Sequence, residues 1–170
     1  MTGERPDDAT AGGDGHGRGG TVEAIHVAPA SGDPVEAVES VEAVAGTGLR
    51  GDRYFDEAGT FSDGTPRGIT LIEAEALEAA EADYGVSLDP GAHRRNVTTR
   101  DVALNHLVGA EFRVGTAVCR GVELCEPCSH LESLTETGVA KSLVHRGGLR
   151  ATIVASGEVS VGDRVVPGTD

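Results

Sequence analysis

The stretch Leu124-Cys125-Glu126-Pro127-Cys128-Ser129-His130 holds two of the chain's three cysteines, with a histidine two residues on. A cysteine is a nucleophile or a soft metal ligand only as its thiolate, and helix N-termini, neighbouring cations and metals favour that form. Val122-Glu123-Leu124 reads as the end of a strand, and Ser129-His130-Leu131-Glu132 has the Ser-x-x-Glu form of a capping box that opens a helix. That context predicts Cys128 at a helix N-terminus, where unpaired backbone N–H groups point outward, and makes it the candidate working thiol. His130 then belongs to the first helical turn.

Three other chemistries compete for Cys125-x-x-Cys128. A thioredoxin-like redox pair wants a strand followed by C-x-P-C at a helix N-terminus, which is present, but also βαβ architecture that the rest of the chain does not suggest. A structural zinc site would need Cys125, Cys128, His130 and one of Cys119 or His145, without the second close pair that usually completes such a site. Cysteines that merely fill a core suit Cys119, on its strand, better than Cys128.

Cations are scarce around this thiol. The chain has 28 acidic residues against 14 basic ones, a formal net charge of -14, and a single lysine, Lys141. That balance excludes sequence-independent nucleic-acid binding, which needs a basic face, and disfavours anionic membrane surfaces. The local exception is His93-Arg94-Arg95-Asn96-Val97-Thr98-Thr99-Arg100, which reads as a strand with Arg94 and Asn96 facing one way and Arg95 the other. Gly46-Thr47-Gly48-Leu49-Arg50-Gly51 matches G-x-G-x-x-G in form only, because no amphipathic helix follows to receive a pyrophosphate. It reads instead as a turn that sets Asp52 and Arg53 at a strand end, with Arg53 either a surface ion-pair partner or an anion ligand.

The elements that must position these residues are mostly strands. Residues 1–20 carry too little apolar surface to offset ordering entropy and are predicted to be a disordered tail, with one domain over 21–170. Val22 to Val27 and Val35 to Val44 read as strands, and Thr70-Leu71-Ile72-Glu73 as a capping box opening a helix that Gly85 ends. Leu104 to Val108 form an apolar turn. Glu111 to Gly115 and Ala117 to Leu124 make two strands, a short helix over Val139 to Val144 follows, and Leu149 to Ala155 and Val159 to Val166 are the last strands. Strands joined by short turns, with about three short helices, predict a mainly β fold, an antiparallel barrel closed or nearly closed on itself. An odd cysteine count, no signal peptide and no apolar run of spanning length predict a reducing, cytoplasmic setting and no membrane partner.

In order along the chain, Gly51-Asp52-Arg53-Tyr54, Arg94-Arg95-Asn96-Val97, Leu104-x-x-Leu107-Val108-Gly109-x-x-Phe112-x-Val114-Gly115, Cys125-x-Pro127-Cys128-x-x-Leu131, Gly147-Gly148 and Val161-Gly162-Asp163-x-Val165 resemble the MOSC domain, the molybdenum cofactor sulfurase C-terminal domain. The resemblance implies a stand-alone, MOSC-like barrel that handles molybdenum cofactor (molybdopterin) or activated sulfur through one cysteine, with a family-level association with pyridoxal phosphate as well. The family cysteine carries over to Cys128, as catalytic thiol or molybdenum ligand, and leaves Cys125 an accessory. Arg53, Arg95 and Asn96, with Arg94, Lys141 and Arg146 behind them, are implied to hold the anionic cofactor or support its site. A molybdenum-dependent reductase, a sulfur-transfer protein served by a redox or sulfur-donor partner, and a cofactor carrier without turnover all fit. Asp101, where relatives often have glycine, and Tyr54, where many have histidine, depart from the pattern.

Overall fold

The computed structural model describes residues 19–28, 35–52, 68–86, 88, 95–125, 142–143 and 146–168. In chain order the elements are β1 (Gly20–Val27), β2 (Glu36–Val38), β3 (Ser40–Val44), β4 (Gly48–Leu49), β5 (Ile69–Glu73) and α1 (Ala74–Tyr84). They continue with β6 (Val97–Arg100), a 3-10 helix (Leu104–Leu107), β7 (Glu111–Val114), β8 (Ala117–Leu124), β9 (Leu149–Ala155), β10 (Gly157–Ser160) and β11 (Arg164–Pro167). The main sheet runs β11-β7-β8-β9-β5-β6-β1-β2, and β11 also pairs with β1, so seven strands close into a barrel with β2 outside it. Strands β10, β3 and β4 form a smaller sheet beside it.

Alternation explains the strands. In β8 the inward residues Ala117, Cys119 and Gly121 are buried between more exposed neighbours, and β7 repeats the pattern with Phe112 and Val114. Those side chains join Val22, Ile25, Leu71, Val97, Leu104, Leu149, Ile153 and Val165 in one continuous core. The glycine-rich 46–51 stretch takes in the end of the turn between β3 and β4, β4 itself and the turn after it, with Gly46, Gly48 and Gly51 all at positive φ. The Val161-Gly162-Asp163 motif closes the barrel: Val22 N–H donates to the Asp163 carbonyl (2.8 Å) and Gly162 N–H to the Val22 carbonyl (2.9 Å).

Three expectations change. Thr70 to Glu73 do not open a helix: they complete β5, in which Ile69, Leu71 and Ile72 are buried, and α1 starts at Ala74 after Glu73 at the N-cap. An apolar, partly β-branched run fits either period, and pairing on both sides, with β6 and β9, decides for strand. The helix does end at Gly85, whose φ of 69 suits a glycine C-cap. Pairing around the barrel is antiparallel save for β5 with β6, which is parallel because α1 lies between them as a crossover. The basic strand is also shorter than expected, Val97–Arg100, so Arg95 and Asn96 lie just before it and Arg94 falls outside the described residues. Arg100, at its far end, is an exposed surface group held between Glu23 and Glu78. Asp101 sits at φ 68, a left-handed conformation that glycine adopts most readily and that Asp tolerates better than most other residues.

Candidate functional site

At one end of the barrel a buried polar knot gathers residues from four separate stretches. The Asn96 side-chain oxygen accepts from the Thr70 amide and the Thr70 hydroxyl, each at 3.1 Å. The Asn96 amide nitrogen of the side chain donates to the His26 carbonyl (3.2 Å) and to Asp52 Oδ1 (3.5 Å). Asp52 Oδ1 also accepts from the Ala28 amide at 2.9 Å, and the His26 amide donates to the Asn96 carbonyl at 2.7 Å. Asn96 and Asp52 are each 9% exposed, and His26 4%. Buried polar groups must be satisfied internally, so this knot sets the relative positions of the end of β1, the turn after β4, the start of β5 and the approach to β6.

One residue earlier, Arg95 reaches the cysteine segment. Its Nε donates to the Gly147 carbonyl (2.8 Å) and its Nη2 to the Cys125 carbonyl (3.3 Å). The Cys125 amide donates to the Gly148 carbonyl at 2.8 Å, one rung beyond the Leu124↔Leu149 pair that ends the β8–β9 ladder. Gly148 has φ 113, and a Cβ there would lie 2.2 Å from the Leu71 carbonyl oxygen, so the close seating of this rung on β5 requires glycine. The Gly51-Asp52, Arg95-Asn96, Cys125 and Gly147-Gly148 motifs thus meet through a continuous set of hydrogen bonds.

Of the residues singled out by sequence, Cys128, Arg53, Arg94 and Lys141 lie outside the described residues. Arg146 donates from Nε to the Ser142 carbonyl (2.8 Å) and stands 3.7 Å from the Asp83 carboxylate. It therefore helps seat its own segment on α1, where Leu143 packs with Ala80 and Val86. Cys119 is fully buried, and burial pushes its thiol up to about 12, which fits a core-filling role. Among the described residues no cluster of His, Cys, Asp or Glu could hold a metal ion, and no helix is long and apolar enough to cross a membrane. The barrel holds one βαβ unit among the described residues, β5-α1-β6, and Cys125 lies outside it, after β8 in an antiparallel part of the sheet, which is not the setting that a thioredoxin-like pair requires.

Sequence reasoning passed over His26, Thr70 and the buried role of Asp52. The one local signal was Asp52 beside glycine at a strand end; His26 and Thr70 look like ordinary strand residues. Burial lowers the His26 pKa from its ordinary 6.5, because the charged form is desolvated. An unfolded chain therefore binds a proton there more readily than the folded one. Stability is full above pH 6.5 and falls as pH drops below it, until the lowered folded value is passed, with a slope of at most about 1.4 kcal/mol per pH unit. Urea midpoints between pH 7.5 and 5 will show this fall in the wild type and a flatter profile in His26→Gln; parallel profiles would refute it.

The model of the MOSC domain family matches residues 58–166, well over half of the chain. Among solved structures, the YUAD protein of Bacillus subtilis superimposes with a TM-score of 0.73 at 18% identity, over 90% of this chain and 98% of the other. YiiM of Geobacillus stearothermophilus gives 0.67 at 18% identity over 88% and 75% of the two chains, and YiiM of Escherichia coli 0.65 at 17% over 90% and 71%. At such identities the likeness is one of fold. No curated protein sequence matches the chain significantly. With the family match over residues 58–166 resting on a closed barrel in which the Gly51-Asp52, Arg95-Asn96, Cys125 and Gly147-Gly148 motifs meet, the chain belongs to the MOSC domain family.

Proposed function

We propose that this MOSC protein binds a molybdopterin-type molybdenum cofactor at the barrel end formed by Asp52, Arg95, Asn96 and Cys125, with Cys128 as the thiolate that engages it. The observation that carries the reading is the Arg95-Asn96 pair: one residue is tied into the buried knot and the next into the backbone of the cysteine segment. The donor set suits the group. A half-buried, permanently charged guanidinium beside the cysteine segment, in a chain of net charge -14, offers an anionic phosphate a specific seat. A cysteine thiolate is a soft ligand of the kind molybdenum or activated sulfur takes.

In this reading Cys128 binds and Arg95 contributes positive charge, with Arg53, Arg94 and Lys141 as further anion ligands. Asn96 has its side-chain atoms committed to Thr70, His26 and Asp52, and so supports the site from behind. Arg146 orients the returning segment. The cofactor, when bound, would supply metal-centred two-electron redox chemistry. A redox or sulfur-donor protein in the cytoplasm is the corresponding partner, and a small reductase the corresponding enzyme.

The test is metal analysis of protein expressed with an intact cofactor pathway. Wild type and Cys125→Ser are expected to carry near-stoichiometric molybdenum, and Cys128→Ser at least about tenfold less, since removing a metal's anchoring thiolate costs at least as much as losing an outer-shell partner. Equal molybdenum in wild type and Cys128→Ser, or none in either, refutes the ligand role, and stoichiometric zinc would favour a structural metal site instead.

A further inference from the structure

We propose that Arg95 is a positioning residue for the cysteine segment: its guanidinium staples the point where the chain leaves the barrel, Cys125, to the point where it returns, Gly147. This rests on the reading of Cys128 as the working thiol, three residues beyond the staple. The β8–β9 ladder ends at Leu124↔Leu149, and one backbone bond, Cys125 N–H to the Gly148 carbonyl at 2.8 Å, extends it. A last rung frays unless something holds it, because opening at an end exposes little apolar surface. Arg95 supplies the hold from the approach to β6, with Nε on Gly147 (2.8 Å) and Nη2 on Cys125 (3.3 Å).

The geometry asks for arginine in particular. The two carbonyls belong to different segments, and a planar fork with donors at fixed separation meets both, while a lysine ammonium is a point charge on a flexible stem. The fork is itself aimed by its neighbour, since Asn96 is buried and bonded to residues of three other stretches. Placement errors of about 1 Å at a reacting group are enough to lose much of its chemistry, so a rigid base for the segment has a functional consequence. The role differs from simple attraction of an anion, which lysine would also serve.

Arg95→Lys and Arg95→Ala separate these roles in the full chain. Amide hydrogen exchange at Cys125 is expected to quicken about tenfold in both, the loss of one charged-donor hydrogen bond, with the amide of Cys119 in the ladder interior unchanged. In a Cys125→Ser background, where buried Cys119 stays silent, alkylation of Cys128 by iodoacetamide reports the working thiol. Its rate at neutral pH should fall about three- to tenfold in both variants, with the midpoint of the rate against pH moved upward. Wild-type behaviour of Arg95→Lys in either readout would overturn the proposal in favour of charge alone. Faster exchange with an unmoved alkylation profile would overturn it in favour of a merely structural role. If Arg95→Ala does not fold, Arg95→Lys decides. Neither readout needs the cofactor, so expected results in a wild type that takes up no molybdenum would sink the cofactor reading and leave the staple standing.

Discussion

Asn96→Ala is expected to lower the free energy of unfolding by about 3–5 kcal/mol, a large part of the 5–15 kcal/mol typical of a domain. The substitution removes four hydrogen bonds made by one side chain, to the Thr70 amide and hydroxyl, the His26 carbonyl and Asp52 Oδ1. The space it vacates matters less than the groups it abandons. The half-buried Thr70 amide and the buried His26 carbonyl each lose a partner, at about 1–3 kcal/mol for a group left unsatisfied, and Asp52 loses a donor as well. Asn96→Asp keeps the shape but replaces the donor to Asp52 by a second carboxylate. It should be equally damaging at pH 7 and recover in part on acidification, as one of the two carboxyls takes a proton and can donate again. Urea unfolding of the three proteins at pH 7 and pH 5 checks this; a loss below about 1 kcal/mol for Asn96→Ala would show the knot to be solvated rather than buried.

Gly148→Ala is expected to be as severe, at about 3–5 kcal/mol, for a different reason. Its φ of 113 is strained for any side chain, and the added Cβ would lie 2.2 Å from the Leu71 carbonyl oxygen and 3.2 Å from its carbon. Backbone cannot rotate aside as a side chain can, so β9 must withdraw from β5 and take the Cys125 rung with it. Gly162→Ala isolates the clash: its φ of 96 is similarly strained, but nothing lies within 4 Å of the Cβ position. That variant should lose only about 1–2 kcal/mol, the strain alone. Thermal unfolding of both ranks them, and equal losses would mean that the close approach of Gly148 to Leu71 relaxes at little cost.

Much of the barrel was legible because its cause is local. Alternating burial over Glu111–Val114 and Ala117–Leu124, a turn glycine between them, and a left-handed cap at Gly85 are written in neighbouring residues. Thr70 to Glu73 read as a helix start in sequence because threonine followed three residues later by glutamate is also a local signal. It yields to pairing with β6 and β9, which lie tens of residues away in sequence. Glu73 then serves a distant partner, accepting from the Leu104 amide at 2.9 Å and so steadying the start of the 3-10 helix.

The candidate site divides the same way. The sequence by itself determined the residue types: a thiol after proline at a strand end, an Arg95-Asn96 pair in a scarce basic run, paired glycines before β9, and the family to which their order belongs. Tertiary structure alone decided their partners. Asn96 bonds to residues 26, 44 and 70 positions away, and Arg95 to carbonyls 30 and 52 positions away. Such contacts form only when the closed sheet brings separate strand ends together. Because backbone carbonyls are common to every residue, nothing in the sequence marks Cys125 and Gly147 as the acceptors of the Arg95 guanidinium.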